Sequence, residues 1–498
     1  MTLNNSFDVV VVGGGNAALC AALSAREAGA SVLLIERAPE SERGGNSSFA
    51  GGNWRVVYRG VDDIKKLAPD LTDEEIANSE FGSYTEENFF DDMARVTQFR
   101  THPDLCEVLV TRCLDTLTWM RTKGVRFMLS YGRQAFKING KFRFWGGMIF
   151  TVSGGGLGVV DALFSTAQRD GVEISYDSRA DRLLCDERGV HGIEFIKGGR
   201  RHQVSAKAVV LACGSFEANT EWRTRYLGRG WDLAKVRGSR FNTGDGLRMA
   251  MDAGAQSYGN WAGCHAVSWE RYASDCGDKN LFTDYQRHSY PWGIMVNALG
   301  KRFVDEGADF RNYTYAKYGH IVLEQPGQFA YQLFDAKVAH LLRREYQGRN
   351  VTRIKANTLD ELVSKLEDVD QTQLMQTLTE YNAAVRMDVP YDPTVKDGRG
   401  TTGLSVPKSN WAQRLDEPPF EAYAVTCGIT FAFGGIKATP QAEVVDVSNV
   451  PIPGLFAAGE MIGGIFYFNY PGGSGLTSGA VFGKVAGASA AAFAANMT

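Results

Sequence analysis

The chain opens on an apolar run, FDVVVV at residues 7–12, with no polar face. Such a run reads as a strand buried on both sides of a parallel sheet. Three glycines break it at 13–15. The residues after them, LCAALSAREAGA, carry apolar positions at helical spacing. A second short strand is expected over 31–35, ending at Glu36. Strand-then-glycine texture returns at 208–212 (AVVLA) and in IPGLFAAGE at 452–460. Residues 172–176, 180–185 and 190–196 alternate as short strands, with a hairpin turn at Asp186-Glu187-Arg188-Gly189. Helices are expected near 72–125, 334–347 and 358–387, and a Pro/Gly/Asp-rich loop near 388–404. The last helix is rich in glycine and alanine and follows Gly472-Gly473-Ser474-Gly475. The changes of texture predict one domain built from 1–260 and 431–498, with 261–430 inserted as an α+β domain. The fold class is α/β, with a Rossmann-like βαβ unit at its start and mixed sheets.

Composition narrows the function. Glycine is 56 of 498 residues while proline is only 14, so the glycines belong to specific tight turns. Net charge is 53 − 57 = −4, which gives no footprint for nucleic acid. No apolar run reaches the roughly 18 residues of a membrane span. The nearest, 480–495, is interrupted by Lys484 and by Gly and Ser. The opening MTLNNSFD has neither a basic nor a hydrophobic leader segment. Eight scattered cysteines, with no CxxC, read as reduced thiols, and the expected location is the cytoplasm. Neither a metal site nor an attached haem is expected.

Gly13-Gly14-Gly15-Asn16-Ala17-Ala18 spells G-x-G-x-x-A between the first strand and the first helix, and Glu36 stands 21 positions after Gly15. That is a dinucleotide fingerprint. Gly13 permits the tight turn, Gly15 lets backbone approach a pyrophosphate, and Ala18 lets helix and strand pack closely. The helix N-terminus offers amides to the phosphates. Glu36, with Arg37 beside it, suits an unphosphorylated adenosine ribose. Strand and motif alone fit FAD or NAD. Further stretches decide for FAD held by both ends of the chain: Gly45-Asn46-Ser47 with Gly51-Gly52, Ala212-Cys213-Gly214, Thr243 and Asp245, Gly459-Glu460, and Gly473-Ser474-Gly475-Leu476.

These motifs resemble the flavoprotein subunits of the fumarate reductase and succinate dehydrogenase superfamily, over nearly the whole length. That superfamily includes the 3-ketosteroid dehydrogenases. GGGNAALCAALSAREAGASVLLIE, VTCGITFAFGG and FYFNYPGGSGL look most like the tricarballylate dehydrogenases. The resemblance implies that 261–430 caps the flavin, that the Ser474, Gly475 and Leu476 amides meet its pyrimidine ring, and that Glu460 binds the ribityl chain. Some members attach the flavin through a histidine. Asn46 stands there in this chain, so FAD is expected to be non-covalent.

The resemblance also implies a reaction: hydride exchange with flavin N5 at one carbon and proton exchange at its neighbour, beside a carboxylate or ketone. His265 matches a histidine that binds a substrate carboxylate. Lys301-Arg302-Phe303-Val304-Asp305-Glu306 matches the stretch before the proton-transfer residue, which is an arginine or tyrosine four positions after the glutamate. Here that position is Phe310, which cannot move a proton. Arg311 is next, and Tyr313 and Tyr315 follow. Two carboxylate-binding positions of the fumarate reductases are replaced, by Phe433 and by Tyr470 after Asn469. Tyr470 resembles the tyrosine that helps polarise a ketone in the ketosteroid dehydrogenases. Arg287, His288 and Tyr290 are further substrate candidates, with Gly473. Arg143 and Trp145 are weaker ones.

The leading expectation is an FAD-dependent dehydrogenase forming (or reducing) a C=C bond beside a carboxylate, of the tricarballylate type. A ketone-adjacent desaturase, a flavin electron-transfer protein and an NAD-dependent dehydrogenase are the alternatives. Reduced flavin would pass electrons to a separate protein, a quinone or oxygen. The tricarballylate resemblance implies a membrane-associated acceptor protein.

Overall fold

The structure is a computed structural model that describes residues 6–145, 147–281, 284–348 and 350–497. The first five residues of the opening stretch therefore lie outside the described residues. The chain divides into two compact units. One comprises Met1–Arg229, Gly238–Cys264 and Thr430–Thr498. The other comprises Gly230–Arg237 and His265–Ile429. The short segment Gly230–Arg237 was not separated by sequence texture. It is placed in the second unit by a two-residue strand, Lys235–Val236, which pairs in parallel with Gly428 and Ile429.

In the first unit, β1 (Ser6–Val12) leads into α1 (Asn16–Glu27) and β2 (Val32–Ile35). β3 (Arg200–Leu211) and β4 (Pro451–Ala457) complete a parallel core. β1 pairs with β2 and β3, and β3 with β4. The register sets Val12 beside both Ile35 and Leu211, and Leu211 beside Ala457. Four strands thus end at one edge. Gly13, Glu36, Ala212 and Gly459 lie just past those ends, where ligands bind open parallel sheets. Ser178–Asp186 and Gly189–Lys197 form the expected hairpin and extend the sheet antiparallel beside β3.

The last helix, α2 (Ser474–Ala495), packs along α1. A Cβ on Gly483 would lie 2.4 Å from the Ala17 carbonyl oxygen, and one on Gly487 would lie 2.1 Å from that of Ala21. Only glycine allows this approach, so here the glycine and alanine texture encodes helix packing. α2 is long and apolar enough to cross a bilayer by length and composition, but its most apolar window is 67% buried inside the protein. Its buried alanines, such as Ala480, Ala486 and Ala490, account for that burial, while Ala488, Ala492 and Ala495 are exposed.

The second unit has its own sheet. Ile294–Asn297 pairs antiparallel with Ala330–Phe334, which pairs antiparallel with the long strand Phe420–Ile436. Helix Gln371–Ala384 covers one face, burying Leu374, Leu378 and Tyr381 against Ile294, Tyr331 and Leu333. The helix expected at 334–347 is absent. Phe334 ends a strand, and the rest forms two 3₁₀ turns, Ala336–Leu341 and Arg344–Tyr346. Asp335 caps the first turn by accepting the Lys337 N–H, and extended backbone at Leu342 and Arg343 (ψ 136° and 156°) separates the two turns and stops any α-helix there.

Candidate active site

In the first unit, the expected flavin residues converge at the ends of the parallel strands. Gly13 has φ +112°, and a Cβ on it would lie 2.4 Å from the Ala212 carbonyl oxygen. The turn therefore requires glycine. Gly14, which the motif leaves open, is constrained more weakly: its Cβ would lie 2.3 Å from Glu36 Oε2, the end of a side chain that would have to shift. Glu36 is buried and its Oε1 accepts the Ala38 N–H at 2.7 Å. By contrast, a Cβ on Gly15 meets nothing closer than 3.4 Å, and one on Gly45 nothing closer than 4.0 Å. These two bare backbones face open space at the start of α1, as a pyrophosphate requires. The residues fit FAD.

Side chains around that space are largely spent on holding it open. Asn16 Nδ2 donates to the Leu476 carbonyl at 2.8 Å, and the Asn16 amide donates to Ser47 Oγ at 2.9 Å. Ala17 and Ala18 sit in the first turn of α1, with Ala18 fully buried. Asn46 Nδ2 donates to the Thr430 carbonyl at 2.7 Å, and its Oδ1 accepts the Ser239 amide at 2.8 Å. Arg37 donates to Thr243 Oγ1 and, at 2.7 Å, to Asp245 Oδ2. Cys213 packs its sulfur 3.8 Å from Met461, and burial pushes its thiol up to about 12. Gly51, Gly52 and Gly214 lie in tight loops of the same unit. Gly473 precedes α2, and Ser474 Oγ donates to the Pro471 carbonyl. The Gly475 and Leu476 amides belong to the first turn of α2, whose N–H groups have no intrahelical acceptor. Tyr470 is buried, with its ring 5.1 Å from Phe431 and 5.5 Å from Phe466.

In the second unit the candidate residues gather around Tyr315. Its ring lies 5.0 Å from His265 and 5.1 Å from His288. Both histidines are buried, and burial is the main cause holding each imidazole well below its usual pKa. The charge of Arg237 adds to this at His265. Arg343, Arg237, Arg311 and His265 add to it at His288. Both rings are therefore neutral near pH 7. His288 Nε2 has no hydrogen-bond partner among the described residues. Arg343 reaches Glu345 at 3.2 Å. The arrangement is a nest of donors suited to carboxylate oxygens.

A family model for the FAD binding domain matches residues 8–476. The chain belongs to that family. The fumarate reductase (cytochrome) of Shewanella frigidimarina is 30% identical over 502 residues, covering 98% of this chain and 78% of that one. The open conformation of a flavocytochrome c3 fumarate reductase superposes with a TM-score of 0.73 at 26% identity, covering 99% of this chain and 79% of that one. The 3-ketosteroid delta1-dehydrogenase of Sterolibacterium denitrificans shares the fold, with a TM-score of 0.75, 20% identity and coverage of 98% and 100%. This flavoprotein is accordingly an FAD-dependent oxidoreductase of the fumarate reductase and succinate dehydrogenase superfamily.

Within the flavoprotein several candidates have other tasks. Arg287 is buried, with Nη2 on Glu270 at 2.7 Å and Nη1 on the carbonyls of Asp284, Gln286 and Glu345. Its charge is paired with Glu270 and both Nη atoms are engaged, with only Nε left without a partner among the described residues, so it is a frame residue and not a spare cation for substrate. Tyr290 is fully buried and its hydroxyl lies 2.7 Å from Thr314 Oγ1. Arg143 makes an exposed ion pair with Glu80. Trp145 stacks on Phe136. Phe310 packs on Trp411, and Arg311 opens the 3₁₀ turn Arg311–Tyr313. Phe310 is half-buried on Trp411, while Arg311 is buried and its charge acts on His288.

Arg237 and Arg343 were missed. Arg237 directly precedes a glycine-rich flavin stretch, and Arg343 sits in Arg343-Arg344, which reads as a surface pair. Their tertiary place beside His288, with Arg237 buried and Arg343 half-buried, is what distinguishes them, and local sequence does not show it.

Proposed function

We propose that this flavoprotein forms, or in reverse reduces, a C=C bond beside a carboxylate, with tricarballylate as the leading substrate and non-covalent FAD as cofactor. The observation that carries this reading is the second unit's donor cluster. Arg237, Arg311 and Arg343 act on the two neutral imidazoles His265 and His288. Three arginines in one place, Arg237 and Arg311 buried and Arg343 half-buried, suit a substrate with several carboxylates. When bound, FAD supplies the two-electron hydride exchange.

The chain's own residues divide the remaining work. The arginines bind and orient carboxylate oxygens. A guanidinium is a poor proton acceptor, and as the proton donor to carbon in reduction Arg311 would give up one N–H proton and regain it from solvent between turnovers. Reduction therefore uses Arg311 directly. Dehydrogenation needs an acceptor, and neutral His265 and His288, with Tyr315 between them, supply one. The first unit's α2 turn, with the Gly475 and Leu476 amides, stabilises negative charge on a reduced cofactor through its free N–H groups. Electrons then leave to a separate acceptor, a protein, a quinone or oxygen, and the expected location is the cytoplasm.

A ketone substrate is the second reading. Tyr470 favours it, because a phenol in an aromatic wall of Phe431, Phe433 and Phe466 suits a ring-bearing ketone. The two readings separate in one anaerobic experiment. Oxidised protein is mixed with tricarballylate or with a 3-ketosteroid, and visible flavin absorption is followed. Bleaching by tricarballylate alone is the expected result. Bleaching by the steroid alone would transfer the assignment to the ketone. No bleaching by either, together with no reoxidation of the reduced protein by cis-aconitate, would sink both.

A further inference from the structure

Behind the flavin loops of the first unit lie two carboxyl groups, one of which the reaction scheme does not use. Glu217 follows β3 and is fully buried. Glu460 follows β4. The Ala432 amide donates to both, to Glu217 Oε1 at 3.0 Å and to Glu460 Oε1 at 2.8 Å. One N–H shared by two carboxyl groups brings their oxygens side by side. Asn242 Nδ2 donates to the other oxygen of Glu217 at 3.2 Å. Among the described residues neither carboxyl forms an ion pair with a lysine or arginine. The neighbouring charges are already engaged. Asp245 pairs with Arg37, Glu36 accepts the Ala38 amide, and the Cys213 thiol beside Met461 stays protonated.

Two unpaired anions in contact inside a protein repel strongly, and the usual resolution is a single shared proton. We infer that Glu217 and Glu460 hold one proton between them, and that this pair is a proton site in the flavin cradle whose charge tunes the flavin potential. Burial and the Glu217 charge both hold the Glu460 carboxyl above the usual carboxylate range, in keeping with the geometry. Glu217 is then a positioning residue: it sets the charge of Glu460, the residue expected at the ribityl chain. With the proton in place the pair carries one negative charge. Losing it adds a second beside the cofactor and disfavours reduction.

Infrared spectroscopy of the FAD-loaded protein tests this, in H₂O and D₂O across pH 6–10. The wild type should show a protonated-carboxyl band, shifted by deuterium, that disappears on titration well above pH 6. In Glu217→Gln the band should titrate at least one pH unit lower, because the neighbouring charge is gone. The flavin midpoint potential, followed over the same range, should bend where the band disappears, and the bend should move with it in the variant. Glu460→Gln repeats the test from the other side if Glu217→Gln does not fold. No band at pH 7, an unchanged band midpoint in the variants, or a potential that runs straight through the band's titration would each overturn the proposal.

Discussion

The two units solve the problem of holding an anion by opposite means. The first uses backbone. Gly15 and Gly45 present bare chain to a phosphate, and Asn16, Asn46 and Ser47 hold the loops in place. The second uses buried side chains. Buried Arg237 and Arg311 and half-buried Arg343 crowd two neutral histidines. The pyrophosphate of FAD does not vary with the substrate, so fixed amides suffice. A substrate varies, and side chains can be exchanged without rebuilding a turn.

Three substitutions in the second unit sharpen this contrast. The largest effect is expected at Arg311. If Arg311→Gln removes a proton-transfer group, turnover should fall by about 10²–10⁴-fold. Flavin content should stay at the wild-type level, because no first-unit residue is touched. Steady-state kinetics beside the flavin-to-protein absorbance ratio reads both. Loss of flavin in that variant would break the separation of roles.

Fully buried Arg287 and half-buried Arg343 test whether arginines in one unit can differ in kind. Arg287 is fully buried against Glu270, so Arg287→Gln strands a carboxylate and should cost about 3–5 kcal/mol of stability. Thermal denaturation reads this. Arg343 already shares Glu345 and borders His288, so Arg343→Gln should raise KM for a polycarboxylate by roughly 10–100-fold, the worth of a charge-assisted hydrogen bond, with a small change in Tm. Equal effects of the two on KM would return Arg287 to the substrate site.

The same contrast explains what the sequence could show. The first unit's cradle is written in contiguous motifs, because a tight turn, a close approach and a helix start are local demands. Gly13, Gly15 and Glu36 are legible for that reason. Gly14 is not, since its constraint is a collision with Glu36 across the sheet. The second unit's cluster comes from residues 237, 265, 288, 311 and 343, brought together only by tertiary packing. His265 and Arg311 were recognisable by resemblance, while Arg237 and Arg343 had no local mark. Arg287 looked like a cation available to substrate because its partner, Glu270, is a residue of a long strand 17 positions away.

Acid separates the units without any substitution. The first unit's cradle is built on glycine geometry and amides, which do not titrate, and its proposed Glu217–Glu460 proton titrates well above pH 6, outside this acid range. His265 and His288 are held neutral by burial and by nearby arginines, so their folded pKa values lie below the unfolded value of about 6.5. Below that pH the unfolded chain takes up protons that the folded protein refuses. Stability contributed by these rings is therefore full above about pH 6.5 and is lost as pH falls below it, by up to about 1.4 kcal/mol per pH unit per ring. Denaturant unfolding at pH 7.0, 6.0 and 5.5 should show this slope. His288→Gln should flatten it by about half, since one of the two refusing sites is gone. A slope unchanged in that variant would mean that the ring is already protonated in the fold, and the donor nest would then carry one more positive charge than proposed.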